Sequence, residues 1–273
     1  MPKRLEFSLR LGHHSKTMRI LLSNDDGIQA PGIHALYEAV KDLGDVHVVA
    51  PDGERSAIGH GITLTKPLHA RAWPPGGPTF GTAISGTPAD CVKLSVSLLL
   101  DPKPDLILSG INLGPNAGIS VLYSGTVSAA TEGVIMGIPS MALSLDTFAD
   151  PDWDAAARVS RHLVQQVISG RVAIAPGIFW NVNVPNRPYA QITGLRITRL
   201  GASRFVEKYE ERRDPWGQPY YWCTGELYEM GDANGTDLEA LRQGCVSLSP
   251  IGLDHTEHAA IEALAAHPPQ LPK

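Results

Sequence analysis

Short apolar runs alternate with helical periodicities along this chain, and this alternation constrains the fold more than any other feature. The run at 18–22 (MRILL) ends in a polar turn, as a short buried strand does. Apolar residues then recur at helical spacing over 33–43, and we expect Gly44 to close that helix. A second strand is predicted at 46–50. Strand, helix and strand in this order predict a βαβ unit and a parallel sheet.

The same pattern continues downstream. Thr87 is placed to cap a helix that begins at Pro88. The further predicted strands are at 105–109, 140–145 and 179–184, and the further predicted helices are at 126–136 and 153–168. The sequence therefore predicts a doubly wound α/β fold.

The pattern changes after about residue 190. Residues 201–230 contain seven of the 17 aromatic residues without clear periodicity, which indicates an extended arm or hairpin. Such a segment either packs on another subunit or folds back on its own domain, and the sequence leaves both open. Thr236 and Glu239 form a capping-box pattern, and a strand near 245–251 and a helical tail near 256–266 are expected to follow.

Charge and composition exclude several classes of protein. A net charge of −5 is unsuited to binding a nucleic-acid polymer, whose phosphates call for clustered Lys and Arg. The three cysteines have no metal-ligand or redox-motif spacing, so we expect a reduced, cytoplasmic setting. No apolar run approaches membrane-spanning length, so no membrane interaction is predicted. Residues 1–17 lack an apolar signal core and are predicted to be a disordered extension.

The first candidate site residues are Asp25 and Asp26, directly after the first predicted strand. In open α/β sheets, ligands bind beyond the carboxyl ends of the strands. Two adjacent carboxylates there repel each other, and a divalent cation such as Mg²⁺ or Mn²⁺ offsets the repulsion. Taken alone, the pair is more often an ordinary solvated turn.

Three further polar loops fall at the same predicted edge. Ser56 offers a hydroxyl oxygen and Asn112 a neutral carbonyl oxygen to the same cation, while Asn116 offers an amide to a substrate oxygen. Ser124, Gly125 and Thr126 open the predicted helix of small residues, and the free N–H groups of a helix start bind phosphate. Taken together, these loops predict metal-assisted phosphate handling.

Five stretches, in this order and spacing, resemble the SurE family (survival protein E): LLSNDDGIQAPGI, ERSAIGHGIT, GTPADCV, SGINLGPN and YSGTVSAATEG. The resemblance implies a Rossmann-like three-layer core. It also implies one divalent metal ion per subunit, held by Asp25, Asp26, Ser56 and Asn112. The implied activity is hydrolysis of nucleoside 5′- and 3′-monophosphates and of short-chain polyphosphate.

The resemblance further implies an arm exchanged between the subunits of a homodimer or homotetramer. On this basis we expect residues 18–190 to form the catalytic core. Residues 191–273 are then expected to form an arm and tail that serve oligomerisation.

Our mechanistic hypothesis assigns phosphate contacts to Asn24, Ser109, Asn116, Ser124, Gly125 and Thr126. A water molecule attacks in line, with Asp25 or Asp26 orienting or deprotonating it. In the competing version Asp25 attacks and forms an aspartyl-phosphate. Two other functions remain open at this point: a non-catalytic nucleotide-binding module, and a phosphatase for non-nucleotide esters.

Overall fold

The computed structural model describes residues 17–229 and 234–271, and at 204, 205 and 226–229 it describes the backbone alone. The predicted extension at 1–17 lies outside this description apart from Thr17. The described strands are Arg19–Ser23 (β1), Asp45–Pro51 (β2), Ala70–Trp73 (β3), Gly81–Ile84 (β4), Leu106–Leu113 (β5), Ser140–Asp146 (β6), Ile178–Pro185 (β7), Gly194–Ile197 (β8), Ser203–Arg213 (β9), Pro219–Glu229 (β10) and Cys245–Gly252 (β11).

The helices pack around these strands. They are Pro31–Val40 (α1), Pro88–Leu94 (α2), Gly125–Ile135 (α3), Trp153–Ile168 (α4), Asp237–Arg242 (α5) and His258–Ala266 (α6). A π-helical turn at Ser95–Leu99 extends α2. Within residues 17–229 and 234–271, no helix combines the length and the apolar character that a bilayer span needs.

Nine strands form one sheet in the order β3-β4-β2-β1-β5-β6-β7-β11-β8. The central strands β2, β1, β5, β6 and β7 are parallel, whereas β3 and β11 run antiparallel to β4 and β7. Parallel neighbours joined through helices require helices on both faces of the sheet. The predicted α/β class with a Rossmann-like layered core is confirmed.

Strand β1 shows why the core has two halves. Successive side chains of a strand point to opposite faces. Ile20 and Leu22 therefore pack in one apolar cluster with α1 and α4, and Leu21 packs in the other with α2 and α3. All three side chains are fully buried, so β1 lies at the centre of the molecule and its end faces the middle of the sheet edge.

Local signals placed most helix starts correctly. Thr87 and Asp90 form a reciprocal capping box at the start of α2, and α4 has the predicted bounds. The predicted end of the first helix at Gly44 is wrong, because α1 ends at Val40. Gly44 lies instead in the following turn, where a β-carbon would sit 2.3 Å from the carbonyl oxygen of Met18. Close approach of two backbones, not helix capping, requires that glycine.

The region after residue 190 divides differently from the prediction. Strands β8 and β11 belong to the nine-stranded sheet, so the predicted boundary at 190 does not separate core from arm. Only β9 and β10 form an arm, an antiparallel two-stranded hairpin. Its described aromatic side chains are exposed, including Tyr209 at 65% and Trp222 at 56%. In the described residues, these aromatic side chains are therefore not covered by their own domain, whereas Ser203 at the base of β9 is buried beside Gly118.

Candidate active site

The candidate site lies at the carboxyl edge of the central strands. Strand β1 is paired on one side with β2 and on the other with β5, and Ser23 is the register partner of Ser109. The loops that follow these three strands are therefore neighbours in space. This topology brings together the loops that carry Asp25, Ser56 and Asn112.

Asp25 is the most buried carboxylate of the predicted set, with 5% of its surface exposed. Burial raises the pKa of its carboxyl group, and hydrogen bonds from the Thr126 side chain and from the backbone of Thr126 and Gly125 oppose that rise. The hydroxyl of Thr126 donates to Oδ1 in a short hydrogen bond. A β-carbon at Gly125 would lie 2.6 Å from the Asp25 β-carbon, so the carboxylate packs directly against the start of α3.

Asp26 is less buried and faces the cleft beside the sheet edge. Its Oδ2 accepts a hydrogen bond of 3.3 Å from the backbone N–H of Leu113. Burial, followed by the negative charges of Asp25 and Glu54, raises the pKa of Asp26 to about 6. Burial and mutual repulsion thus disfavour ionisation of the two carboxylates, and a bound cation would favour their charged forms.

The loop that follows β2 and carries Ser56 lies against the segment of the acidic pair. The backbone N–H of Arg55 donates to the carbonyl oxygen of Asp25 over 2.7 Å. Gly27, with φ +98°, approaches Gly53 so closely that a β-carbon would lie 3.0 Å from its carbonyl carbon. Ser56 is exposed, and its hydroxyl donates to Glu54 Oε1 over 2.7 Å. Ser56 thus has a backbone neighbour, Arg55, that is bonded to Asp25.

Asn112 comes from a strand and not from the predicted loop. Strand β5 continues to Leu113, with a register shift against β6 between Ser109 and Asn112. At Gly110, which has φ +139°, a β-carbon would lie 2.2 Å from the carbonyl oxygen of Leu143, so only glycine fits at this position. The side-chain amide of Asn112 donates to the carbonyl oxygen of Gly114 over 2.7 Å. That bond directs the Nδ2 end to the backbone and leaves Oδ1 as the end suited to a cation.

Two predicted phosphate contacts are used by the protein itself. The Ser124 hydroxyl caps α3 by accepting from the N–H of Val127 over 3.0 Å. The side-chain amide of Asn116 donates to the Ser144 hydroxyl over 2.9 Å, and its backbone N–H donates to Asn183 over 2.8 Å. Asn116 is therefore an anchor of the loop in this structure, and its amide is not directed to a substrate.

Three buried oxygens at the sheet edge have no hydrogen-bond partner among the described residues: Ser23 Oγ, Asn24 Oδ1 and Ser109 Oγ. The other end of the Asn24 amide donates to the carbonyl oxygen of Gly27 over 2.9 Å. A buried polar atom without a partner costs about 1–3 kcal/mol. Ser23 and Asn24 directly precede Asp25, and Ser109 pairs with Ser23, so a cation, a phosphate group or ordered water bound at this edge would satisfy such oxygens.

The donor chemistry fits a hard divalent cation. Carboxylate, hydroxyl and amide oxygens are the ligands that Mg²⁺ and Mn²⁺ prefer. In the described part of the chain, no group of three or more His, Cys, Asp or Glu side chains is arranged to hold a metal. The predicted set contains only two carboxylates. That number suits Mg²⁺, which commonly binds one or two carboxylates together with substrate phosphate and water.

A cleft of about 520 Å³ opens beside Asp26. Its walls include Gln29, Glu54, Leu113 and Trp153. This volume falls in the range of small-molecule sites. Glu54 and Gln29 stand within the motifs quoted above but were not assigned a role from the sequence.

The fold and the site together define an α/β protein with an oxygen-rich, acidic site at the carboxyl edge of a parallel sheet. The model of the family "Survival protein SurE" matches residues 20–207. The chain is 47% identical over 249 residues to 5′-nucleotidase SurE of Heliobacterium modesticaldum. The matched region covers 91% of each chain. It is 49% identical over 254 residues to 5′-nucleotidase SurE 1 of Thermus thermophilus, covering 91% of this chain and 97% of that one.

A solved structure agrees with these relatives. The crystal structure of the SurE protein from Aquifex aeolicus matches with a TM-score of 0.79 and 42% identity, and covers 91% of this chain and 98% of that chain. This chain belongs to the SurE family.

Proposed function

We propose that this SurE-family nucleotidase hydrolyses nucleoside 5′- and 3′-monophosphates, and also short-chain polyphosphate, with one divalent cation per subunit. The observation that carries the proposal is the buried acidic edge. Asp25 lies against the start of α3 and Asp26 accepts a hydrogen bond from Leu113, at the same sheet edge as three buried oxygens that have no partner among the described residues. We propose nucleotides as the substrates because the relatives are named 5′-nucleotidases.

Asp25, Asp26, Ser56 and Asn112 would hold the cation, Mg²⁺ or Mn²⁺. When bound, the cation would neutralise charge on the phosphoryl oxygens that otherwise repels a nucleophile. The Gly125 and Thr126 amides at the start of α3 favour negative charge nearby, whether on Asp25 or on a phosphoryl group.

The two carboxylates support different roles. Asp25 is held by Thr126 and by backbone amides, so it has little freedom to move as a nucleophile. Asp26 faces the cleft and is held, among the described residues, by a single hydrogen bond, from the Leu113 N–H, so it is the carboxylate placed to orient and deprotonate a water molecule. Water then forms the new P–O bond, the ester P–O bond breaks, and the nucleoside leaves as an alcohol after gaining a proton. We therefore favour direct attack of water over an aspartyl-phosphate.

The assembly is also a proposal. The exposed aromatic hairpin supports a homodimer or homotetramer in which β9 and β10 pack on another copy of the chain. The predicted cytoplasmic setting is retained as part of the same proposal, as is the absence of nucleic-acid polymer and membrane binding.

The test is release of inorganic phosphate from 5′- and 3′-AMP, GMP, CMP and UMP, with Mg²⁺, Mn²⁺ or a chelator. We expect cation-dependent turnover that falls about a thousandfold in Asp25→Asn. The matched control is Asp154→Asn, since that carboxylate is 73% exposed on α4 and should leave turnover unchanged.

Other outcomes identify the alternatives. Nucleotide binding without turnover would identify a binding module. Preference for sugar phosphates or p-nitrophenyl phosphate over nucleotides would identify a phosphatase for other esters. A hydroxylamine-sensitive phosphoenzyme would overturn direct attack of water.

A further inference from the structure

The loop that carries Ser56 is held in place by few apolar contacts. Ile58, Ile62 and Leu64 are exposed, and so is Ser56 itself. Burial of apolar surface therefore contributes little to the position of this loop. Its position depends on hydrogen bonds to the helices beneath it.

Three of these bonds come from α3 and from Tyr123, two residues before its start. The N–H of Gly59 donates to the carbonyl oxygen of Tyr123 over 3.0 Å, and the Ser128 hydroxyl donates to the carbonyl oxygen of Gly59 over 2.8 Å. His60 Nε2 lies 2.9 Å from Glu132 Oε2. Only the last of these three contacts joins two side chains, so it can be tested from either partner by substitution.

Glu132 is an unusual residue for the interior. Its side chain is 3% exposed, and its second oxygen, Oε1, accepts a 2.6 Å hydrogen bond from Lys93 of α2. The hydrogen bond with His60, followed by the one from Lys93, lowers the pKa of Glu132 although burial opposes the shift. The carboxylate is therefore ionised at neutral pH, and a buried charge of this kind fixes its partners firmly.

The same helix also holds Asp25. Gly125 and Thr126, at the start of α3, pack against and bond to the Asp25 carboxylate. Glu132 follows two turns later, about 10 Å along the helix axis. The contact between Glu132 and His60 thus links the loop that carries Ser56 to α3, the helix that holds Asp25.

We propose that Glu132 is a positioning residue that acts through His60 to hold the Ser56 hydroxyl in place beside the Asp25–Asp26 pair. The proposal rests on the cation site of the proposed function. Lys93 balances the buried charge from the opposite side, but it bonds to no residue of the loop among the described contacts.

The test measures binding of Mn²⁺ to the nucleotide-free, full-length protein by calorimetry, beside kcat and KM. We expect His60→Ala and Glu132→Gln to weaken Mn²⁺ binding about tenfold. His60→Gln, which keeps a side-chain donor, should recover most of that loss. Lys93→Ala, the matched control, should change Mn²⁺ binding less than about twofold, because it leaves the His60 contact in place.

A double-mutant cycle with Ser56→Ala separates positioning from general destabilisation. In the Ser56→Ala background, His60→Ala should have no further effect on Mn²⁺ binding. Effects that multiply, or a lowered melting temperature with unchanged Mn²⁺ affinity, would overturn the proposal.

Failure of the proposed function is recognised separately. If the wild-type protein shows no cation-dependent turnover, the enzyme proposal fails. The positioning proposal is then read from hydrogen exchange of the Arg55 amide, which bonds to Asp25. Faster exchange of the Arg55 amide in His60→Ala supports the role of the His60–Glu132 contact in positioning the loop, and unchanged exchange overturns it.

Discussion

The acidic sheet edge and the aromatic hairpin are incomplete in opposite ways. At the edge, polar groups are buried: Asp25 is almost fully enclosed, and Ser109 Oγ and Asn24 Oδ1 have no partner in the described part of the chain. In the hairpin, apolar groups are exposed, as Trp222 and Tyr209 show. A buried polar group lacks the partner that water would provide, whereas an exposed aromatic ring lacks an apolar surface. The edge therefore calls for a small polar ligand and the hairpin for another protein surface.

The hairpin register sharpens this contrast. Residues directly opposite each other share a face of a two-stranded sheet. Tyr209 lies opposite Cys223, and Trp222 lies opposite Glu210. Tyr209 and Trp222 therefore project from opposite faces of the hairpin, and each face carries an exposed aromatic ring. Such a hairpin is suited to being enclosed by a partner on both sides.

Among the changes that test this contrast between edge and hairpin, the largest expected effect comes from adding one methyl group at the edge. In Gly125→Ala, the new β-carbon would meet the Asp25 β-carbon at 2.6 Å and displace the carboxylate. A displacement of about 1 Å can cost about a hundredfold in turnover, and we expect a loss of that size. Phosphate release from 5′-AMP measures it.

Gly217→Ala is the matched change in the hairpin turn. Gly217 has φ +82° and open space around its missing side chain. The substitution should cost about 1 kcal/mol of local stability and leave turnover intact. Equal loss of turnover in both variants would contradict the separation of the two regions.

The second prediction concerns assembly. Trp222→Glu places a charge on one hairpin face, and Tyr209→Glu places one on the other. Each should weaken self-association about thirtyfold, measured by light scattering over a dilution series. Leu98→Glu, at an exposed apolar position outside the hairpin, is the control. If only one hairpin variant dissociates, a single face carries the interface and enclosure on both sides is wrong.

The smallest effect is the pH dependence of the metal-free protein. Burial raises the pKa of Asp26 from 3.8 to about 6, so the folded state favours the protonated form. The stabilisation is complete below the unfolded value of 3.8 and is lost as pH rises through about 6.

Because Asp26 is partly solvated, we expect Asp26→Asn to exceed wild type by about 1–2 kcal/mol at pH 8, with the gap closing towards about pH 4. Urea unfolding in the presence of a chelator measures this difference. A gap that does not change with pH would show that the aspartate's charge is not its cause.

Several features followed directly from the sequence. Hydrophobic periodicity and caps predicted the central strands and the bounds of α4, because these signals are local. The strands β3, β4 and β8 were not predicted. Each has four residues, and β8 is wholly exposed, so neither length nor alternation marks them. The Gly-rich stretch from Ser109 was predicted as loop, whereas pairing with β6 extends β5 through it.

The acidic pair, Ser56 and Asn112 were predicted as cation ligands because their motifs are local and ordered like those of the family, and their role as ligands stays a prediction. The sequence by itself determined the layered α/β fold and the residue types at its carboxyl edge. Only the tertiary structure decided that Thr126 bonds to Asp25, that Asn116 serves as an anchor, and that His60 meets Glu132 across 72 positions. The physical reason is that side-chain partners so far apart in sequence are brought together by strand order and packing, which local patterns do not encode.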